Sequence, residues 1–323
     1  MGAEDAAWLT AGKDDKPKRR KIWQDDEREK ILNRLLGLKK ERIMKRAGVI
    51  LIIACLLGAC LSFNAAATEP ESITSIAAIL MDADTGEVLY SKNIHKTMYP
   101  ASITKILTAS LVLEYCNTHE IVTVSASAAN IPRGYSHIAL KAGDEISVND
   151  AMYAMMLPSA NDAANALAEH VAGSQQDFAT MMNFYAEEIG AHDSRFVNPS
   201  GIPSNNQFTT AYDMALITRA AIQNPDFMEY FGATSYVLPA LNSQTSAKEI
   251  TGYQYMLIED KDEYNEYVIG GKIGYTRQAG HTMSTVAQKN GRTLICVVLG
   301  STRDGKYADT QALLDYGFVP RLW

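Results

Sequence analysis

The chain has 323 residues, 47% of them hydrophobic and 21% charged, with 21 glycines and 10 prolines. This is the composition of a globular protein and excludes a disordered, collagen-like or disulfide-scaffold chain. The net charge of −7 hides an asymmetry: residues 1–67 carry 14 basic against 9 acidic side chains, the remaining 256 carry 16 against 28, and such a body is a poor partner for nucleic acid.

In chain order, residues 1–43 are a polar, charge-dense segment, and 47–63 read AGVILIIACLLGACLSF without a charge. Lys45-Arg46 before this run and Ala65-Ala66-Ala67 after it give the basic, apolar and small-residue regions of a secretory signal peptide. A true start at Met44 makes 44–67 an ordinary signal peptide. Translated from Met1, the same run is a membrane anchor whose Lys/Arg-rich flank stays in the cytoplasm. Leu57-Gly58-Ala59-Cys60 also looks like a lipobox, although Cys60 lies inside the apolar run rather than at its end. Each version exports 68–323 as one folding unit, secreted or held at the membrane by its N-terminal segment. Cys55 and Cys60 belong to that segment. Cys116 and Cys296 sit in the apolar runs LVLEYC and TLICVVL and read as small buried hydrophobes; a single disulfide between them stays open, but there is no disulfide framework.

The exported unit reads as sheet, helices, sheet. Short apolar runs at 76–81 and 87–90, separated by the turn-rich Asp82-Ala83-Asp84-Thr85-Gly86, predict a hairpin. Apolar residues at helical spacing predict helices over 102–115, 148–157, 160–172, 175–189 and 209–223. Ser174 with Asp177 predicts a capping box, and Asp162 an early-turn carboxylate. Strands are expected at 267–275, 282–288 and 293–299, the last two joined through Lys289-Asn290-Gly291-Arg292, and a helix at 307–316 closes the chain. The expected fold class is α/β of the α+β kind. A mostly antiparallel five-stranded sheet is flanked by helices, with a helical subdomain inserted across an edge where a cleft can form.

Three motifs fall where they can share that cleft. In Ser102-Ile103-Thr104-Lys105, positions i and i+3 lie on one helix face, so the Lys105 amine can approach the Ser102 hydroxyl. A lysine desolvated at a helix base can lose its proton and act as the base that serine requires, and N–H groups at the helix start can hold an oxyanion. The ordinary alternative is a capping serine followed by a solvated lysine. Ser159-Ala160-Asn161, if extended, points a hydroxyl and an amide the same way; alternatively it caps helix 160–172. Gly270-Gly271-Lys272-Ile273-Gly274-Tyr275-Thr276 allows a substrate backbone to approach a strand, and Lys272 there can hold Lys105 neutral or attract a carboxylate; alternatively this is a Gly-rich bulge with an exposed lysine. The order Ser-x-x-Lys, Ser-x-Asn, Lys-x-Gly, in helix, loop and strand, carries more than any one motif.

These motifs, with AAILMDADTGEVLYSKNIHKTMYPASITKILTASLVLE, MMLPSANDAANALAEHVAG, RFVNPSGI and EYVIGGKIGYTRQAG around them, resemble the serine D-alanyl-D-alanine carboxypeptidases, low-molecular-mass penicillin-binding proteins, over about 76–318. The resemblance implies the penicillin-recognising transpeptidase and β-lactamase fold. It implies removal of the terminal D-Ala of peptidoglycan stem peptides through an acyl-enzyme outside the cytoplasmic membrane, with β-lactams as inhibitors and no cofactor. Ser102 then resembles the nucleophile, Lys105 its base, Ser159 and Asn161 the proton relay and positioning pair, and Lys272 the motif lysine. Gly274, Tyr275 and Thr276 line the substrate strand, the N–H groups of Ser102 and Tyr275 form the oxyanion hole, and Arg303 holds the terminal carboxylate. Ile273 departs from the family pattern, which usually has Thr there; the lost hydroxyl contact is worth roughly 1–3 kcal/mol if unreplaced. The chain also ends five residues after Phe318, so no β-rich second domain is expected. Competing activities are cleavage of D,D cross-links, a β-lactamase, for which no water-activating Glu is assignable, and a non-catalytic peptidoglycan-binding homologue. No metal is expected, since His95, His119, His137, His170, His192 and His281 show no ligand spacing.

Overall fold

Period-two alternation organises a sheet from both ends of the chain described by the computed structural model, which covers Pro70 and residues 72–319. The signal-peptide, anchor and lipobox expectations lie outside those residues. β1 (Ala77–Asp82) pairs antiparallel with β2 (Val88–Lys92). The chain reverses between them because Asp82 Oδ1 accepts the N–H groups of Asp84 and Thr85, while Gly86, at φ +78°, donates to Asp82 O. Arg219 secures the turn by donating to the carbonyls of Ala83 and Asp84.

The central helix, α1 (Lys105–Tyr115), follows one 3-10 turn (Ala101–Thr104), so the helix expected from Ser102 begins as a tighter coil. Residues 105–109, Leu111 and Val112 are all buried, as befits a helix that is apolar nearly all round. Next come the short α2 (Ala126–Ala129), then α3 (Val148–Met156), α4 (Asn161–Ala172), α5 (Gln175–Glu188) and α6 (Ala211–Ala221), close to the expected spans. Ser147, Ser174 and Thr210 cap three of these, each accepting from the N–H of an Asp three residues on. α7 (Pro225–Phe231) lies beyond the expected helical block. Two small two-stranded sheets were also not foreseen, β3 (Ile121–Thr123) with β4 (Glu145–Ser147) and β5 (Ser235–Leu238) with β6 (Lys248–Thr251). Strands of three or four residues contain too few alternations to register.

β7 (Val268–Thr276), β8 (Gly280–Lys289) and β9 (Arg292–Ser301) complete the sheet, and α8 (Gly305–Phe318) follows. Asn290 at φ +53° and Gly291 at φ +79° make the two-residue turn predicted between β8 and β9. The strand order is β2-β1-β9-β8-β7 with every neighbouring pair antiparallel. Central strands are buried on both faces. Ala77, Ile79, Met81, Ile295, Val297 and Leu299 join the core shared with the helical block, whereas Ala78, Leu80, Leu294, Cys296 and Val298 join a smaller core closed by Leu313 and Leu314 of α8. Cys116 and Cys296 are both free thiols, Cys296 fully buried. Among the described residues no helix is long and apolar enough to cross a membrane. The cleft lies where β7 meets the N-terminal ends of α1 and α4.

Candidate active site

Ser102 is held by its backbone before any catalytic side chain is considered. Ala101, at φ +51°, turns the chain into the 3-10 coil; Thr282 Oγ1 donates to Pro100 O at 2.9 Å and Thr104 Oγ1 to Ala101 O at 2.8 Å. Two glycines press on this turn. A Cβ on Gly201, itself at φ +85°, would lie 1.9 Å from Ala101 O, and one on Gly274 would lie 2.8 Å from Ser102 N. Only hydrogen fits at either place. The approach of Gly274 also brings the 274–275 strand backbone to the same corner as the Ser102 N–H, the neighbourhood expected for an oxyanion hole.

Lys105 is fully buried at the base of α1. Its Nζ donates to Asn161 Oδ1 at 2.7 Å and to Ser200 O at 2.6 Å, and lies 3.3 Å from Ser102 Oγ. A neutral amine has two N–H bonds and one lone pair; the two close carbonyl acceptors take the former, so the lone pair is left for the Ser102 hydroxyl. The electrostatics favour that state. Burial, and then the charge of Lys272, hold the Lys105 ammonium well below the ordinary lysine value, against a smaller opposing pull from Asp162.

Lys272 itself is buried, drawn down to about 7 by desolvation, and donates to Ile273 O at 3.2 Å. It does not line the open cleft; Ile273, Gly274, Tyr275 and Thr276 do. The alternative is half right: the register of β7 does shift between Val268 and Gly270, but the lysine is buried rather than exposed, and its reach to Lys105 is through charge.

The Ser159-Ala160-Asn161 segment is not extended. Ser159 adopts φ +62°, a conformation costing a non-glycine residue of order 1–3 kcal/mol, and its buried Oγ has no hydrogen-bond partner among the described residues. Nor does it cap α4, whose N-cap is Ala160 without a side-chain bond. Asn161 is the first residue of that helix and faces Lys105. Beside it, Asp162 does more than sit in a first turn: its carboxylate accepts the N–H groups of Ile138 and Leu140, fixing the segment whose Gly134, Tyr135 and Ser136 form one wall.

Ser200 was missed as a site residue because it acts through a main-chain carbonyl. Its loop is rigid: Asn198 Oδ1 accepts from Gly201 N at 2.8 Å, Asn198 Nδ2 donates to Ile202 O, and Thr108 Oγ1 donates to Pro199 O at 2.6 Å. The turn residues in RFVNPSGI are the only sequence signal for it.

The cleft, about 330 Å³, is lined by Ser102, Ser159 and Asn161 and by Arg303, Lys306 and His281, with no carboxylate in its wall among the described residues. Lys306, also unforeseen, donates to Arg303 O at 2.6 Å and sits 3.7 Å above the Tyr307 ring; burial draws its ammonium down to about 8. Burial and these two cations hold His281 below its usual value. Tyr275, 61% exposed, packs on His281 at the rim. A buried base beside a hydroxyl, a second unpaired hydroxyl and cationic side chains suit acyl transfer from a peptide ending in a carboxylate.

Residues 64–303 match the family described as D-alanyl-D-alanine carboxypeptidase. The chain is 32% identical over 250 residues to the D-alanyl-D-alanine carboxypeptidase DacF of Bacillus subtilis, covering 75% of this chain and 61% of that one. It spans a little over three-fifths of the length of the first curated relatives it matches. Among solved structures it is similar to a D-alanyl-D-alanine carboxypeptidase from Mycobacterium tuberculosis, with TM-score 0.72 and 26% identity over 80% of this chain and 96% of that one. The Streptomyces K15 DD-transpeptidase gives TM-score 0.72 and 26% identity over 78% and 99%.

Proposed function

Since the chain belongs to the D-alanyl-D-alanine carboxypeptidase family, we propose that it removes the terminal D-alanine of peptidoglycan stem peptides through a Ser102 acyl-enzyme. Ser102 Oγ attacks the carbonyl carbon of the penultimate D-Ala and its proton passes to the Lys105 lone pair. The oxyanion is held by the N–H groups of Ser102 and Tyr275. The C–N bond then breaks, the departing D-Ala amine takes a proton by way of Ser159 Oγ, and water, deprotonated by Lys105, hydrolyses the ester. Asn161 orients the substrate amide and the lysine together. Arg303 and Lys306 receive the terminal carboxylate, a task in which Ile273 contributes no hydroxyl. Lys272 keeps Lys105 neutral.

The observation that carries this reading is the donor arithmetic at Lys105, two short bonds to carbonyl acceptors and a third contact to Ser102 Oγ. A carboxylate-free cleft supports slow release of a β-lactam acyl group rather than a β-lactamase. The substrate implies work in the cell wall or periplasm, and the apolar run at 47–63 is the segment that exports or anchors the domain.

The test is release of free D-alanine from a stem peptide ending in D-Ala-D-Ala, with covalent capture of fluorescent penicillin, by the parent and by Ser102→Ala. The parent is expected to do both and the variant neither. Labelling of Ser102→Ala would remove Ser102 as nucleophile. Added amine acceptors and cross-linked dimers distinguish hydrolysis from transpeptidation and endopeptidase action.

A further inference from the structure

The two helices that begin in the cleft end together at a second cluster of reactive side chains. α1 is closed by Cys116 at its C-cap, and α4 carries His170 in its last turn. Glu120 joins them: one carboxylate oxygen accepts the Asn117 N–H at 2.7 Å, and the other lies 2.9 Å from His170 Nε2. The Cys116 sulfur, a Glu120 oxygen and a His170 ring nitrogen all lie within 4.8 Å of one another. The six histidines show no ligand spacing along the chain, so only the packing of α1 on α4 creates this group.

We propose that Cys116, Glu120 and His170 bind a Zn²⁺ ion that clamps the distal ends of α1 and α4. The donor set, one sulfur, one imidazole nitrogen and one carboxylate oxygen, suits a borderline cation, whereas Ca²⁺ and Mg²⁺ take oxygen ligands. Bonds of roughly 2.0–2.3 Å in tetrahedral geometry put ligand atoms roughly 3.3–3.8 Å apart, so side-chain movements of about 1 Å complete the site. The surrounding field favours a cation. Two helix C-termini, the negative ends of their dipoles, converge there. Glu120 adds a carboxylate, held in place by the Asn117 N–H. Cys116 ligates as a thiolate, so metal binding releases its proton to solvent. Glu120 is exposed, which leaves the fourth position to water. The eleven residues of α1 put the clamp about 16 Å from Lys105, so the ion holds helices and takes no part in acyl transfer.

The experiment is calorimetric titration of the metal-free, full-length protein with zinc chloride, with Co²⁺ as a spectroscopic substitute. One Zn²⁺ per chain is expected, with a rise in thermal midpoint, and a sulfur-to-Co²⁺ charge-transfer band. Cys116→Ser should abolish the band and the thermal shift, while a Cys55→Ser/Cys60→Ser variant keeps both. Glu120→Gln and His170→Gln should each weaken binding by roughly tenfold or more. Fluorescent-penicillin labelling of every variant reports that it is folded. Binding that survives Cys116→Ser and His170→Gln unchanged, or a Co²⁺ complex without the band, would overturn the site and leave only a histidine–carboxylate pair beside a thiol.

Discussion

Lys105 is a buried amine with no carboxylate in hydrogen-bond contact among the described residues, and burial disfavours its charged form. Burial and the Lys272 charge depress its folded-state value, so the free amine exists at a pH where a solvated lysine is still protonated. Lys272→Gln removes one cause of that depression. The Lys105 value then rises, and the acid limb of penicillin acylation is expected to move to higher pH, read from labelling rates across a pH series; an unmoved limb would show that burial alone sets the base. Ile273 lines the cleft, and under the proposed function a hydroxyl there would help hold the terminal carboxylate. Ile273→Thr should raise kcat/KM for D-alanine release roughly fivefold, equivalent to about 1 kcal/mol from one regained hydrogen bond; no gain would mean that Arg303 and Lys306 already satisfy the carboxylate. That Ser102, Lys105 and Asn161 would lie together was legible from order and spacing. That Lys272 lies behind the cleft wall was not, because spacing gives the face of a strand and not what covers it.

At the scale of elements, catalytic geometry comes from backbone approaches that only glycine permits. Gly201→Ala forces a Cβ onto Ala101 O, and no L residue is at ease at φ +85°. It should cut the acylation rate by about a hundredfold, the usual cost of a misplacement near 1 Å, with helix content by circular dichroism unchanged. Retained acylation would show that the Ser102 turn is not held from that side. Helices and long hairpins were readable because their signals are local: Ser174 caps α5 and Asn290-Gly291 turns β8 into β9 as expected. Neither alternative for Ser159, an extended segment or a helix cap, anticipates its φ of +62°, because a left-handed conformation at a non-glycine residue leaves no local mark in sequence.

For the whole molecule, one sheet separates two cores and is built from both ends of the described chain, so the two cores are expected to unfold together. Leu107 belongs to the larger core and Leu313 to the smaller, both fully buried. Leu107→Ala and Leu313→Ala, in the unit Asn64–Trp323, should each cost about 2–5 kcal/mol and lower the same single calorimetric transition. Two transitions, with each substitution moving only one, would mean that the cores unfold independently.

Sequence alone determined what depends on neighbours along the chain: the strand and helix order, the caps and turns, the apolar segment at 47–63, and the three motifs with the family they point to. Tertiary structure decided what depends on atoms far apart in sequence. It brought the Ser200 carbonyl and the Asn161 amide to Lys105, stripped water from Lys105 and Lys272 so that the charged form of each is disfavoured, and gathered Cys116, Glu120 and His170. The physical reason is range: hydrogen bonding and alternation act over a few residues, whereas desolvation and charge coupling depend on the surroundings in three dimensions.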